Sequence, residues 1–207
     1  MKLWRLLTLV VCIMLLPVGG LAEYVFPTGE EMIDCGHFTL TLQEGDMYLL
    51  GEKSVGAVFC KVFPAYDEDE EMHANIGMQW INDGSLANIT EEALSTITMY
   101  TVMNTSQALQ QMNMEVRFLS VEPMHQTEMF GTSCYALSYT MALSGLEEAY
   151  GVGSEMECVA RQVMVPVNDQ EYYIFSYGTY GDGDADATQR VLSTLRWKEP
   201  ELLPAGE

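Results

Sequence analysis

The chain has 207 residues, with 30 acidic side chains against nine lysines and arginines, and its formal net charge is −21. This length fits one domain with a sizeable core. A surface that acidic excludes binding to nucleic acid and to anionic lipid headgroups, since both carry negative charge. It favours a cation, a basic partner, or solubility alone.

The first 22 residues have the pattern of a secretory signal peptide. Lys2 and Arg5 form a basic start, residues 6–16 are an apolar run too short to span a membrane, and Gly20-Leu21-Ala22 supplies small residues for cleavage. We therefore predict an exported protein that is cleaved near Ala22. Without Lys2 and Arg5, seven basic residues face 30 acidic ones, a net charge of −23.

The mature chain divides into three parts. Residues 23–33 contain Pro27 and Gly29 and are predicted to be an extended lead-in. Residues 34–197 are predicted to form a single α+β domain, and residues 198–207 a flexible tail.

The first half of the domain is rich in strand signals. Apolar residues alternate with threonines from Phe38 to Leu42, as expected of a half-buried strand. The further predicted strands are residues 47–50, 56–63 and 75–81. The second of these is a nearly continuous apolar run, which is typical of a central strand. Between the last two, residues 67–71 are consecutive acids and predict a solvated loop.

A long helix is predicted next, because residues 85–114 contain no proline or glycine and carry apolar residues at three-to-four spacing. Asn88 is the expected N-cap, with Glu91 three residues later as in a capping box. Residues 116–121 predict a strand that continues past Pro123 as a sheet edge, where proline is tolerated.

The last third predicts three antiparallel strands followed by a helix. Bulky and small residues alternate through residues 132–143, 155–167 and 171–177. Asn168-Asp169-Gln170 is a polar turn that joins the last two strands as a hairpin. Asp186 is the expected N-cap of the closing helix, whose buried side is Val191, Leu192 and Leu195.

This order of elements resembles the PsbP-like family, named for an extrinsic subunit of photosystem II. The resemblance is carried by core-pattern residues: Phe38-Thr39-Leu40, residues 76–81, Gly131 followed by Tyr135-Ala136-Leu137, and residues 172–176 and 191–196. It implies an antiparallel sheet with helices on both faces, an α/β/α sandwich. Family members include assembly factors, envelope proteins and binders of other proteins, and most are not known as enzymes.

Four cysteines remain in the mature chain, and an even number in an exported protein permits two disulfides. The pairing we favour is Cys35 with Cys60 and Cys134 with Cys158, because each pair lies on strands expected to be neighbours. The alternative is four buried free thiols.

Asp182, Asp184 and Asp186 offer carboxylates at alternate positions, the spacing of the first ligands in a calcium loop. The rest of that motif is missing, since Ala187 stands at the glycine position and Ser193 at the position of the bidentate glutamate. The alternative is that these aspartates complement the N-terminus of the closing helix.

Cys134 follows a turn at Gly131 and could act as a nucleophile if a histidine lay beside it. His37, His73 and His125 have no metal-ligand spacing. We therefore predict a monomeric, non-catalytic domain without a cofactor that binds a protein or a cell-surface component. A calcium-binding protein is the alternative, and a cysteine-dependent enzyme the third hypothesis.

Overall fold

The computed structural model of the protein describes residues 23–67, 74–87, 89–111, 113–144, 155–180 and 182–198. Within these ranges the chain forms eleven strands and two helices, a mixed α+β fold. The strands are β1 (Tyr24–Val25), β2 (Glu31–Asp34), β3 (Phe38–Leu42), β4 (Met47–Leu50), β5 (Val58–Phe63), β6 (Asn75–Asn82), β7 (Glu115–Met129), β8 (Thr132–Ser144), β9 (Met156–Pro166), β10 (Glu171–Thr179) and β11 (Arg196–Trp197). The helices are α1 (Glu91–Gln111) and α2 (Asp182–Ser193).

The strands form two antiparallel sheets. The large sheet has eight strands in the order β1-β4-β5-β6-β10-β9-β8-β7, and the small sheet has three in the order β11-β3-β2. The predicted hairpin is present, with Tyr172 of β10 opposite Pro166 of β9. The predicted edge strand is also confirmed, because β7 includes Pro123 and ends the large sheet.

Two apolar cores hold the fold together. Side chains of β10 divide between them in alternation: Tyr172 and Ile174 in the first core, Tyr173 and Phe175 in the second. The first core includes Ile97 and Leu109 of α1. The second core includes Phe38 of β3 and Leu192 of α2. Because successive side chains of a strand point to opposite faces, β10 contributes to both cores at once.

The N-terminal residues belong to the fold, which corrects the predicted lead-in. Residues 24–25 are β1, which pairs with Tyr48 and Leu49 of β4, and β2 pairs along β3. Pro27 and Gly29 lie between β1 and β2, and the residues on either side of them still form strands. Pairing with β4 satisfies backbone groups that the edge of the large sheet would otherwise leave open.

The cap of the long helix lies two residues after the one that its sequence predicts. The helix starts at Glu91, and Thr90 Oγ1 accepts a hydrogen bond of 3.2 Å from the Ala93 amide. Thr90 therefore caps the helix. Asn88 lies outside the described residues.

Asp46 anchors three separate parts of the chain. Its side chain is fully buried, and its oxygens accept hydrogen bonds of 3.0 Å from the amides of Gln43 and Ala65. Arg190 of α2 donates to both carboxylate oxygens, at 3.0 Å from Nη1 to Oδ2. The turn before β4, the residues after β5 and the helix α2 are thus tied to one carboxylate.

Asp46→Ala should lower the free energy of unfolding by about 3 kcal/mol, because a half-buried guanidinium and two amides lose their acceptor. The exposed pair of Arg117 and Glu155, 3.0 Å apart, offers a matched control. Glu155→Gln should change stability by no more than about 1 kcal/mol. Urea denaturation of both variants measures the difference, and equal effects would contradict an anchoring role for Asp46.

Lys61 is a buried cation in the middle of β5. The Nζ atom of Lys61 lies 5.5 Å from the centre of the Phe63 ring. Burial lowers the pKa of Lys61 from 10.5 to about 8. The folded protein therefore loses this proton near pH 8, whereas the unfolded chain keeps it until about pH 10.5.

Stability should consequently rise with pH between 8 and 10, since the unfolded state binds one more proton there. The rise due to Lys61 should approach about 3 kcal/mol once the pH exceeds the pKa of the unfolded chain, where the lysine is neutral in both states. Lys61→Met should remove it, whereas Lys198→Met, at an exposed lysine, should retain it. Urea denaturation at pH 7.5, 8.5 and 9.5 measures the slope, and parallel slopes for all three proteins would contradict the assignment.

Candidate binding groove

A groove of about 530 Å³ opens between the β7–β8 turn and the C-terminal end of α2. Its lining residues are Met129, Phe130, Gly131, Gln189, Leu192, Ser193, Leu195, Arg196 and Trp197. In this described lining none of the residues is acidic and one, Arg196, is basic. The groove is therefore an apolar, locally cationic site on a chain of net charge −21.

One wall of the groove is a tight two-residue turn. Phe130 and Gly131 both have positive φ, 56° and 73°. That pair of angles suits a hairpin turn, but it is unfavourable for a bulky residue such as phenylalanine. The Phe130 ring packs 5.2 Å from the ring of Phe175 in the second core, which offsets the strain. The sequence indicates the turn through Gly131 but not the unusual conformation of Phe130.

The opposite wall is β11 and the end of α2. Thr194 Oγ1 accepts a hydrogen bond of 2.9 Å from the Thr41 amide, which fixes the helix end against β3. Trp197 then pairs with Phe38, and its ring lies 5.4 Å from the Phe38 ring. The indole Nε1 of Trp197 is buried and has no hydrogen-bond partner in the described part of the chain. A buried donor without an acceptor lowers the stability of the fold, and this atom is not exposed to the groove.

Arg196 is held at the groove by main-chain oxygens. Its Nη1 donates to the carbonyls of Ser193 and Leu195, both at 2.8 Å. A guanidinium carries five N–H groups on three nitrogens, so Nε and Nη2 keep donors that these two bonds do not use. Apolar walls beside an exposed guanidinium suit a ligand that combines an apolar group with a hydrogen-bond acceptor.

A second cluster of polar side chains lies around the hydroxyl of Tyr173. Lys53 Nζ donates to this hydroxyl at 2.6 Å, and His37 Nδ1 lies 2.9 Å from it. Gly36, at φ +89°, leaves the space for Lys53, since a Cβ there would lie 3.2 Å from Nζ. Burial raises the pKa of Tyr173 to about 12 and lowers the pKa of Lys53. Tyr173 therefore stays protonated near neutral pH and positions its neighbours.

Two of the four cysteines meet beside this cluster. Cys35 and Cys60 both belong to the second core, and their side chains form a hydrogen bond. All four cysteines are free and buried thiols in the structure. Sequence reasoning placed Cys35 near Cys60, and the structure brings these two side chains together.

The predicted pairing of Cys134 with Cys158 is wrong. Cys134 lies in the second core and Cys158 in the first, on opposite faces of the large sheet. Cys158 is opposite Met141, seven residues along β8 from Cys134. Seven residues of strand span about 23 Å, whereas the Cα atoms of a disulfide lie within about 7 Å.

The surroundings of Cys134 do not activate its thiol. Burial raises the pKa of Cys134, which leaves little thiolate at neutral pH. The ring of His125, on the neighbouring strand β7, has Nδ1 2.9 Å from the Pro123 carbonyl and Nε2 3.6 Å from Glu122. His73 lies outside the described residues.

The predicted calcium ligands lie on a helix. The helix α2 begins at Asp182, so Asp186 is in its second turn and is not the N-cap. The sequence misplaces this start because Ala185 and Ala187 are strong helix formers that extend the helix towards its N-terminus. The side chains of Asp182 and Asp184 are not described. Among the described residues, no group of three or more acidic, histidine or cysteine side chains could hold a metal ion.

Asp186→Ala should therefore cost less than about 1 kcal/mol, because the residue contributes to the helix dipole and not to a cap. Calcium binding by the three aspartates would instead raise the melting temperature with ion concentration, and the mutation would abolish the rise. Thermal melts of both proteins across a calcium titration separate the two. We expect no calcium-dependent rise, and a rise at micromolar calcium that the mutation abolishes would establish the cation site.

Comparison with solved structures shows a likeness to known folds. The chain is similar to the solution structure of cyanobacterial PsbP (CyanoP) from Synechocystis sp. PCC 6803, with 16% sequence identity and a TM-score of 0.46. The match covers 89% of this chain and 99% of that chain. This neighbour bears the name of the PsbP-like family that the core pattern resembles, and membership of that family stays a prediction.

Two other comparisons found no match. No protein-family model matches the chain, and no curated protein matches it significantly. In the described part of the chain, no helix is both long enough and apolar enough to cross a membrane.

Proposed function

We propose that this chain is an exported, non-catalytic domain that binds a protein or a cell-surface component through the groove beside β11. The observation that carries the proposal is the exposed guanidinium of Arg196 next to apolar walls. The guanidinium uses only Nη1 for the main chain. A partner segment with an apolar side chain and a carbonyl or carboxylate would bind the apolar walls and accept from the remaining N–H groups of Arg196.

The charge of the remaining surface favours a partner that is basic overall. The seven basic residues of the mature chain are engaged or buried within the fold: Lys53 with Tyr173, Lys61 inside β5, Arg117 with Glu155, Arg161 with Tyr177, Arg190 with Asp46, Arg196 with main-chain carbonyls, and Lys198 with Asp34. The 30 acidic residues outnumber them, so the long-range field attracts a basic protein. The groove then selects the segment that docks.

Export is supported by the N-terminal pattern of basic start, apolar run and small residues. The predicted sandwich is supported by the division of β10 between two cores, one with α1 and the other with α2. A non-catalytic role is supported by the raised pKa values of Cys134 and Tyr173, because both groups then stay protonated near neutral pH and are poor nucleophiles or bases.

A photo-reactive amino acid placed at Ser193 tests the groove in the producing cells. Ser193 is exposed and lines the groove, whereas Ser95 is exposed on α1 and serves as the control position. We expect one discrete cross-linked adduct from Ser193 and none of the same size from Ser95. Adducts that are the same from both positions would overturn the proposed site.

Two glutamine-to-glutamate variants form a matched pair, one in the groove and one outside it. Gln189→Glu places a carboxylate in the groove, and Gln107→Glu makes the same change on the exposed face of α1. Because like charges repel at a partly desolvated site, Gln189→Glu should lower the Ser193 adduct by about tenfold. Gln107→Glu should leave it unchanged. Equal yields from the two variants, with melting temperatures like that of wild type, would contradict acceptor binding in the groove.

A further inference from the structure

Cys35 and Cys60 come from different sheets and meet inside the second core. Cys35 lies in the turn between β2 and β3, where its amide donates to the Phe38 carbonyl at 3.0 Å. Cys60 lies in β5 of the large sheet. Their exposed fractions are 3% and 0%, and the two side chains form a hydrogen bond. A bond between the sulfur atoms would therefore link the small sheet to the large sheet.

We propose that Cys35 and Cys60 are a redox-active pair, which a disulfide-bearing thiol oxidoreductase converts reversibly to a disulfide that joins the two sheets. The reaction is a thiol–disulfide exchange. The Cys35 thiolate attacks one sulfur of the oxidant disulfide and releases the first oxidant thiol. Cys60 then loses its proton, attacks the Cys35 sulfur and releases the second thiol. Two electrons and two protons pass from the cysteines to the oxidant, which becomes a dithiol.

The position of the two thiols explains why Cys35 reacts first. Cys35 lies in a turn beside the exposed Gly36 and is 3% exposed, whereas Cys60 is fully buried. Cys60 is the poorer nucleophile, because its hydrogen bond with Cys35 and its burial raise its pKa well above the usual value. Cys60 is therefore suited to the second, resolving step.

The remaining cysteines offer an internal comparison. Cys134 and Cys158 are equally buried but lie in different cores, so they have no geometry for a mutual disulfide. Among the four described cysteines, the pairing is thus specific to Cys35 and Cys60. A link there closes a loop of 24 intervening residues, numbers 36–59, which restricts the unfolded chain.

The test incubates the reduced mature protein with oxidised glutathione as the probe and maps the peptides without reduction. We expect one linked peptide pair, Cys35 with Cys60, which dithiothreitol releases. The oxidised form should melt roughly 5–10 °C above the reduced form. Four free thiols after prolonged incubation, or a link through Cys134 or Cys158, would overturn the proposal.

One variant tests the order of the steps. Cys60→Ala should accumulate a single glutathione adduct on Cys35, because the resolving thiol is missing. An adduct on Cys134 or Cys158 in this variant would contradict the assigned order.

Discussion

The packing of the Tyr173 side chain between the two sheets is the interaction on which the rest of the structure depends. Its ring lies within aromatic contact of four rings in the two sheets: Phe38 at 5.1 Å, Phe59 at 6.0 Å, Trp197 at 6.1 Å and Phe175 at 6.4 Å. The His37 ring, in the turn before β3, lies 5.8 Å away. Tyr173 therefore fixes the small sheet on the large one. Its hydroxyl also binds Lys53 and His37.

The groove depends on that packing because its wall is part of it. Trp197 lines the groove while its ring packs on Phe38, and Phe130 enters from the β7–β8 turn against Phe175. An aromatic interior of this kind is stiff, and each pair adds to the burial of apolar area. Arg196, next to Trp197, keeps donors on Nε and Nη2 that its two main-chain bonds do not use. A rigid apolar cleft with an unused donor is a binding feature, and the acidic remainder of the surface determines which partners approach it.

Much of the fold follows from residue periodicity. The alternation in β8 and β10 predicts the strands, and the polar turn after β9 predicts their hairpin. Contacts between distant residues could not be read in this way. Asp46 and Arg190 are 144 positions apart, and nothing local in either residue's neighbourhood indicates their pairing.

The wrong pairing of Cys134 with Cys158 has a related cause. The two strands were paired correctly, but the register sets Cys158 opposite Met141, an odd number of residues from Cys134 and thus on the other face. The groove escaped prediction because its walls come from a turn and a helix end 60 residues apart in sequence.

Hydrogen exchange in wild type and in Tyr173→Leu tests the central role of this side chain most directly. If Tyr173 holds the small sheet in place, amides of β3 and β11 should lose protection in the variant, while those of α1 keep theirs. Exposure should appear first in peptides that cover Phe38–Leu42 and Arg196–Trp197, before any change in Glu91–Gln111. Equal loss of protection in all three segments, or unchanged protection of β3 and β11, would contradict the account.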